Sequence, residues 1–342
     1  MLLHSADAVA PDSRWDIISA APESVLVLDS QQQHAGNVLQ YGGGIALLAD
    51  LRINLATLAN VAASGEAAEQ LTDTRSTVSQ HSDHGEAAPP FRWGALGYLG
   101  YESLHASHGI SASAGTAHPI GNAAITGVQH TPDVPVAAIG VYRWSLCIDR
   151  LQNRAWLSAS DSNDPVIAAV LTCLASPQSP TPQSAEIGDR SAEVPPEVDY
   201  LDGFARVHAY LLAGDCYQVN LARRFRVLGQ MQPWTLFKQL LPVQPGAFSG
   251  FMQTPRGAVL CFSPERLLRT RGTTITSQPI KGTIRRGTSS TDDAQQAELL
   301  RATTKDRAEN LMITDLTRND LGRVCATGSV QVDQLFGLRC LP

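Results

Sequence analysis

The chain predicts a soluble globular protein built from both strands and helices, and three observations say so. Hydrophobic residues make up 43% of its 342 residues against 17% charged, enough for an ample core. Short strand-like runs separated by turn-rich polar segments fill the first half. A helix, a hairpin and two consecutive helices follow in the second half.

In chain order, "SVLVLDS", "GIALLAD", "VAAIGVYRWSLCID" and "RAWLSAS" read as strands, some alternating and some apolar throughout. Residues 61–90 and 106–126 are small, polar and turn-rich. Residues 175–197, "ASPQSPTPQSAEIGDRSAEVPPE", have linker composition and divide residues 1–174 from residues 198–342. Beyond the linker, "VDYLDGFARVHAYLLAGDC" sets Leu201, Phe204, Val207, His208 and Leu211 on one helical face, with Gly214 as its stop. "CYQVNLARRFRV" alternates like a strand, and "GAVLCFSPERLLRTRGTTITSQPIKG" like two antiparallel strands turning at "RTRGTT". "STDDAQQAELLRATT", with Ser290 or Thr291 as N-cap, and "KDRAENLMITDLTRNDLG" read as consecutive helices. "GSVQVDQLF" near the end is strand-like again.

Charge narrows the partners. The net charge of −6 excludes a general binder of nucleic acid or membrane surfaces. Residues 1–195 hold 8 basic and 19 acidic side chains, and residues 196–342 hold 18 basic and 13 acidic. A basic second half without a dense basic run suits a small anionic ligand. The six cysteines are scattered without a CxxC pair, which predicts free thiols in a reducing cytoplasm. No apolar run is long enough for a membrane span, and the first residues lack the basic start and apolar core of a signal peptide.

Several motifs carry no chemistry. "GALGYLGYE" has no following GK[ST] and reads as close backbone packing; "KGT" reverses the phosphate-loop order. "HSDH" at 81–84 has two histidines but no further ligands to go with them. Lys281 stands out more. The chain has only three lysines, Lys238, Lys281 and Lys305, among 26 basic residues, and one of them lies inside "SQPIKGTIRRG". A lysine amine can lose its proton and act as nucleophile or base, which arginine cannot. A solvated lysine at a strand end is the ordinary alternative. Glu265 in "FSPERLL" is held by Pro264 and the adjoining strand. Glu309 lies on the "KDRAENLMI" helix one turn after Asp306, either as an oxygen ligand for Mg²⁺ or as an i,i+4 partner of Lys305.

Together, "GDCYQVNLARRF", "FSPERLL", "PIKGT" and "KDRAENLMITDLTRNDLGRV" resemble the chorismate-utilising enzyme family, with "LLHSADAVAPDSRWD" and "FRWGALGYLGYE" also fitting. The resemblance runs from Leu2 to the last residue. Lysine in the middle of Pro-Ile-x-Gly-Thr resembles the aminodeoxychorismate synthase component I branch; anthranilate synthases carry alanine there. The family implies an α+β fold in which two large antiparallel sheets pack as a sandwich with helices outside.

The resemblance also implies a chemistry. Mg²⁺, with Glu309 among its ligands, grips the ring carboxylate of chorismate. Lys281 adds to C2, Glu265 protonates the departing C4 hydroxyl, and Thr283 lies in the substrate-binding motif. Ammonia from a separate glutamine amidotransferase subunit (component II) then adds at C4 and expels the lysine. The product is 4-amino-4-deoxychorismate, for 4-aminobenzoate and folate synthesis. The alternatives are anthranilate synthase component I and a noncatalytic remnant. Family members begin earlier and continue well beyond Pro342, so the resemblance implies an interrupted chain, expected to be poorly soluble and inactive alone. Ser5 with Asp12, Ser13, Arg14 and Trp15, and Ala247, Phe248 and Ser249 of "GAFSG", match the family's tryptophan pocket, where Ala247 replaces the usual proline.

Overall fold

The fold comes from a computed structural model, which describes residues 1–4, 14–28, 38–41, 89–100, 134–176, 191–193, 197–216, 218–223, 225–229, 231–254 and 256–340. The strand expected at "GIALLAD", the "HSDH" segment, residues 106–126 and nearly all of 61–90 lie outside them. The chain forms two compact units, residues 1–177 with 240–342 and residues 178–239.

In chain order the first eight strands are β1 (Leu2–His4), β2 (Trp15–Ile18), β3 (Ser24–Leu28), β4 (Val38–Tyr41), β5 (Gly94–Leu99), β6 (Ala137–Tyr142), β7 (Trp144–Asp149) and β8 (Arg154–Ala159). Helix α1 (Pro165–Ala175) follows, started by Asp164, whose carboxylate accepts the Val166 N–H at 2.9 Å. Strand β9 (Ser191–Glu193) and helix α2 (Glu197–Ala213) open the second unit, with β10 (Arg226–Leu228) and helix α3 (Pro233–Leu240) after them. Back in the first unit are β11 (Phe248–Thr254), β12 (Gly257–Ser263), β13 (Arg266–Arg271) and β14 (Thr274–Gln278), then helices α4 (Ser290–Ala302) and α5 (Thr304–Gly322).

The largest sheet has the order β12-β11-β1-β2-β7-β8 and is antiparallel throughout. The second has the order β4-β3-β6-β5, antiparallel except for the parallel β3–β4 pair. Its central strands are apolar on both faces. Leu26, Leu28, Ala137, Ile139 and Val141 form a cluster on one face. Val27 and Ala138, on the other, meet Met252 of β11, with Met1 packed alongside, so the two sheets face one another. Burial on both faces is why "VAAIGVY" shows no alternation. Each such fully buried leucine contributes about 1.5–3 kcal/mol relative to exposure. The expected close packing at "GALGYLG" is present: a Cβ on Gly97 would sit 2.2 Å from the Ala138 carbonyl oxygen.

The run "VAAIGVYRWSLCID" is not one strand. It breaks at exposed Arg143, which pairs with Glu23, and passes from the four-stranded sheet to the six-stranded one. The hairpin region divides too: β12 joins the six-stranded sheet, while among the described residues β13 and β14 pair only with each other. In the second unit, β9 falls inside the stretch with linker composition and pairs with β10. Among its described residues the alternating "CYQVNLARRFRV" is strand only at β10, which pairs with β9. "GSVQVDQLF" forms no strand. Helix α2 ends as expected at Gly214, whose φ of +80° suits glycine.

Candidate active site

The motif residues from Ser263 onward lie on one continuous path, from β12 through the β13–β14 hairpin and the loop at 279–289 to α4 and α5. At its start, Pro264 and Glu265 separate β12 from β13. Ser263 fixes this break: its hydroxyl donates to the Glu265 carbonyl at 3.0 Å and accepts the Glu265 N–H at 3.2 Å. The hairpin register pairs Arg266 with Gln278, and the Arg266 guanidinium donates to the Gln278 side-chain oxygen at 3.0 Å. That register brings Glu265 and the residues after Gln278 to the same end of the hairpin. There Glu265 Oε1 accepts the backbone N–H of Ile280 at 2.9 Å.

Lys281 follows, half-buried, and then Gly282 with φ of +70°, a conformation L side chains rarely adopt. Gly282 packs against α5. A Cβ placed on it would lie 2.9 Å from both Cβ and Cγ of Asp306 and 3.2 Å from Oδ1. Thr283, next in the loop, is exposed. The Lys281 backbone therefore lies between the Glu265 carboxylate and the first turn of α5. Glu309 is one turn further along the same helix face and is half-buried. Among the described residues no ion pair joins it to Lys305, so the i,i+4 alternative is not what the structure shows.

The far end of the loop is tied to α4. Ser289 caps the helix, accepting the Asp292 N–H at 3.1 Å; the N-cap is Ser289, not Ser290 or Thr291. Arg286 donates through Nε and Nη2 to the two carboxylate oxygens of Asp293, each at 2.6 Å. Gly287 N–H donates to Asp293 at 3.0 Å and Thr288 N–H to Asp292 at 2.9 Å. The Arg286 hydrogen bonds, with that from Gly287, hold the Asp293 carboxyl below the usual range. Neither the Arg286–Asp293 clamp nor the Gly282–Asp306 packing was expected from the sequence; the arginine pair after Thr283 and the acidic first turn of α4 are the signals that could have suggested the first.

Glu309 and Asp306 are two carboxylates on consecutive turns. Among the described residues no group of three or more His, Cys, Asp or Glu side chains is arranged to hold a metal ion. A carboxylate or two fits Mg²⁺ when waters and substrate oxygens complete the shell.

Of the expected tryptophan pocket, Ser5, Asp12 and Ser13 lie outside the described residues. The others sit at one end of the six-stranded sheet, where His4 pairs with Ser249 and Trp15 pairs with Asp149. Their polar groups are already engaged. Arg14 grips buried Asp149, and the Ser249 hydroxyl is buried and donates to the Gly246 carbonyl at 2.8 Å. The Trp15 and Trp156 rings meet at a tilt of 49° with centroids 5.3 Å apart, and the Arg266 guanidinium lies 5.5 Å over the Phe248 ring. Ala247, just before β11, is half-buried.

The family model of chorismate binding enzymes matches residues 29–342. The chain belongs to the chorismate binding enzymes. Over an alignment of 344 residues that takes in all of this chain, it is 34% identical to aminodeoxychorismate synthase component 1 of Klebsiella aerogenes and spans 67% of that relative's length. Against anthranilate synthase component 1 of Streptomyces coelicolor the match falls to 28% over 287 residues, 78% of this chain and 53% of the relative. The solved anthranilate synthase component I of Streptococcus pneumoniae TIGR4 superposes with a TM-score of 0.60 at 18% identity, over 92% of this chain and 62% of that one. That likeness establishes the fold, and the α+β arrangement of facing sheets with helices agrees with it. No helix among the described residues is long and apolar enough to cross a membrane.

Proposed function

We propose that this chorismate binding enzyme combines chorismate with ammonia to give 4-amino-4-deoxychorismate and water. The observation that carries the proposal is the held position of Lys281, with Glu265 bonded to the residue before it and α5 packed on the residue after it. The whole-length similarity to a protein named aminodeoxychorismate synthase component 1 supports it. An alanine at 281 would have favoured anthranilate synthesis.

In this proposal the Lys281 amine adds to C2 of the ring, and the two ring double bonds shift toward C4. The C4 hydroxyl leaves as water with a proton from Glu265. Glu265 Oε1 is occupied as an acceptor, which leaves Oε2 to carry that proton. Ammonia then adds at C4, the double bonds shift back, and the lysine amine is released. The ammonia source is a glutamine amidotransferase subunit. Glu309 would be one ligand of a Mg²⁺ ion, which would polarise the ring carboxylate when bound. A cytoplasmic setting goes with it, and all six cysteines are free, as a reducing compartment requires.

The test is turnover of chorismate with excess ammonium and Mg²⁺, with products separated by chromatography. Formation of 4-amino-4-deoxychorismate is expected, against the inactivity that the resemblance implied for the chain alone, because Glu265 and Asp306 hold the Lys281 loop from within the chain. Anthranilate as the product, or no amination in the chain joined to its amidotransferase, rejects the proposal.

A further inference from the structure

We infer that Asp306 is a positioning residue: its side chain, packed on Gly282, fixes the backbone that carries Lys281. Residues 279–289 have no regular secondary structure, so nothing in their own backbone ladder holds Lys281 in place. Two outside contacts do. Glu265 takes the N–H of Ile280 at 2.9 Å, and Asp306 fills the space beside Gly282 down to 2.9 Å from a hypothetical Cβ. The two contacts come from different elements, the β12–β13 junction and α5, and flank one residue. Helix α5 runs from Thr304 to Gly322, and Asp306 lies in its first turn, so it serves as a rigid platform.

The contact is one of shape rather than charge. Among the described residues Asp306 makes no ion pair with Lys281 and accepts no hydrogen bond. The Asp306 atoms nearest to a Cβ built on Gly282 are Cβ, fixed to the helix backbone, and the carboxyl carbon Cγ one bond beyond it. Gly282 is thus required twice, by its φ of +70° and by the space Asp306 occupies. A side chain at 282 would displace either the loop or the helix turn. The functional meaning of this placement rests on the proposed nucleophilic role of Lys281, but the placement itself can be measured without chorismate.

The small number of lysines makes the measurement simple. A short pulse of an acetylating ester, followed by peptide mass spectrometry, gives the modification rate of Lys281 relative to Lys238 within the same molecule. Asp306→Ala is expected to raise that ratio several-fold, because the half-buried loop lysine loses its restraint, whereas isosteric Asp306→Asn should leave it at the parental value. Gly282→Ala should also change the ratio, and adding Asp306→Gly should return part of the change by removing the clash. If the Ala variant unfolds, seen as all three lysines reacting alike, Gly282→Ala with and without Asp306→Gly decides instead, and a ratio that Asp306→Gly does not move back overturns the inference. An unchanged ratio in the Ala variant overturns the inference, as does an Asn variant that behaves like Ala, since charge would then be the active property. Failure of every variant and the parent to aminate chorismate, with the ratios as expected, would reject the proposed activity and leave the positioning role standing.

Discussion

Glu265 and Ile280 are joined by a 2.9 Å hydrogen bond from the Ile280 N–H to Glu265 Oε1, across the base of the β13–β14 hairpin. The glutamate therefore has a second task besides the proposed proton donation. It holds the entry to the loop that bears Lys281. The two tasks separate by mutation. Glutamine keeps an acceptor oxygen where Oε1 stood and cannot release a proton; alanine removes both.

Glu265→Gln is accordingly expected to lower kcat by about 10²–10⁴-fold with KM for chorismate little changed. Glu265→Ala should lower kcat at least as far and also raise KM, because the loop loses its anchor. Steady-state kinetics on the two variants tests this. A glutamine variant with parental kcat would remove Glu265 from acid catalysis.

Lys281 is expected to form a covalent adduct with chorismate when ammonia is withheld. Intact-protein mass spectrometry should show the added mass, and peptide mapping should assign it to Lys281, not to Lys238 or Lys305. Lys281→Arg should form no adduct, since a guanidinium does not deprotonate near neutral pH. An adduct persisting in that variant, or full aminodeoxychorismate formation by Lys281→Ala, contradicts the nucleophile assignment.

How much of this was legible in the sequence depends on how local each feature is. "SPERLL" and "PIKGT" stand out because their residue types and order match the family locally, and α2, α4 and α5 because helical periodicity is local, although the α4 cap falls one residue earlier than expected. Strand limits were harder. The break at Arg143 interrupts an apolar run whose two halves join different sheets, and no local signal marks a change of partner. "CYQVNLARRFRV" and "GSVQVDQLF" alternate as strands do, yet a strand exists only where a neighbour takes its hydrogen bonds. The site shows the same division. Gly282 and Asp306 meet through packing of a loop on a helix, which neither motif encodes alone.

Glu309 is expected to act on metal affinity. Glu309→Gln should raise the Mg²⁺ concentration needed for half-maximal activity, because a hard cation loses a charged oxygen ligand. Glu265→Gln should leave that concentration where the parent has it, whatever its kcat. Titration of residual activity against Mg²⁺ compares the two. Identical metal dependence in parent and Glu309→Gln would rule out Glu309 as a ligand.

The last prediction concerns stability, at the Arg14–Asp149 pair that joins the start of β2 to the end of β7. Asp149 is fully buried. Burial alone would push its carboxyl up, but Arg14 donates through Nε at 2.8 and 2.9 Å and through Nη2, and the Gln152 and Leu151 amides donate at 3.2 and 3.0 Å. These outweigh desolvation and hold the carboxyl below its ordinary range. A carboxyl depressed in the folded state binds its proton more readily when unfolded. Its stabilisation is therefore present in full above the unfolded value, near pH 4, and is lost as the pH falls through the lower folded value. Arg14→Met leaves a buried, unpaired charge and should destabilise the protein by about 3–5 kcal/mol at neutral pH. Urea denaturation of parent and variant from pH 7 down to pH 3 reads both effects. The gap between them should narrow as the pH falls below about 4, where Asp149 of the unfolded chain takes up its proton while that of the folded parent stays charged. A gap that stays constant across that range would mean that Arg14 stabilises the sheet through its packing on Trp15, where its guanidinium lies 5.2 Å from the ring centre, and not through Asp149.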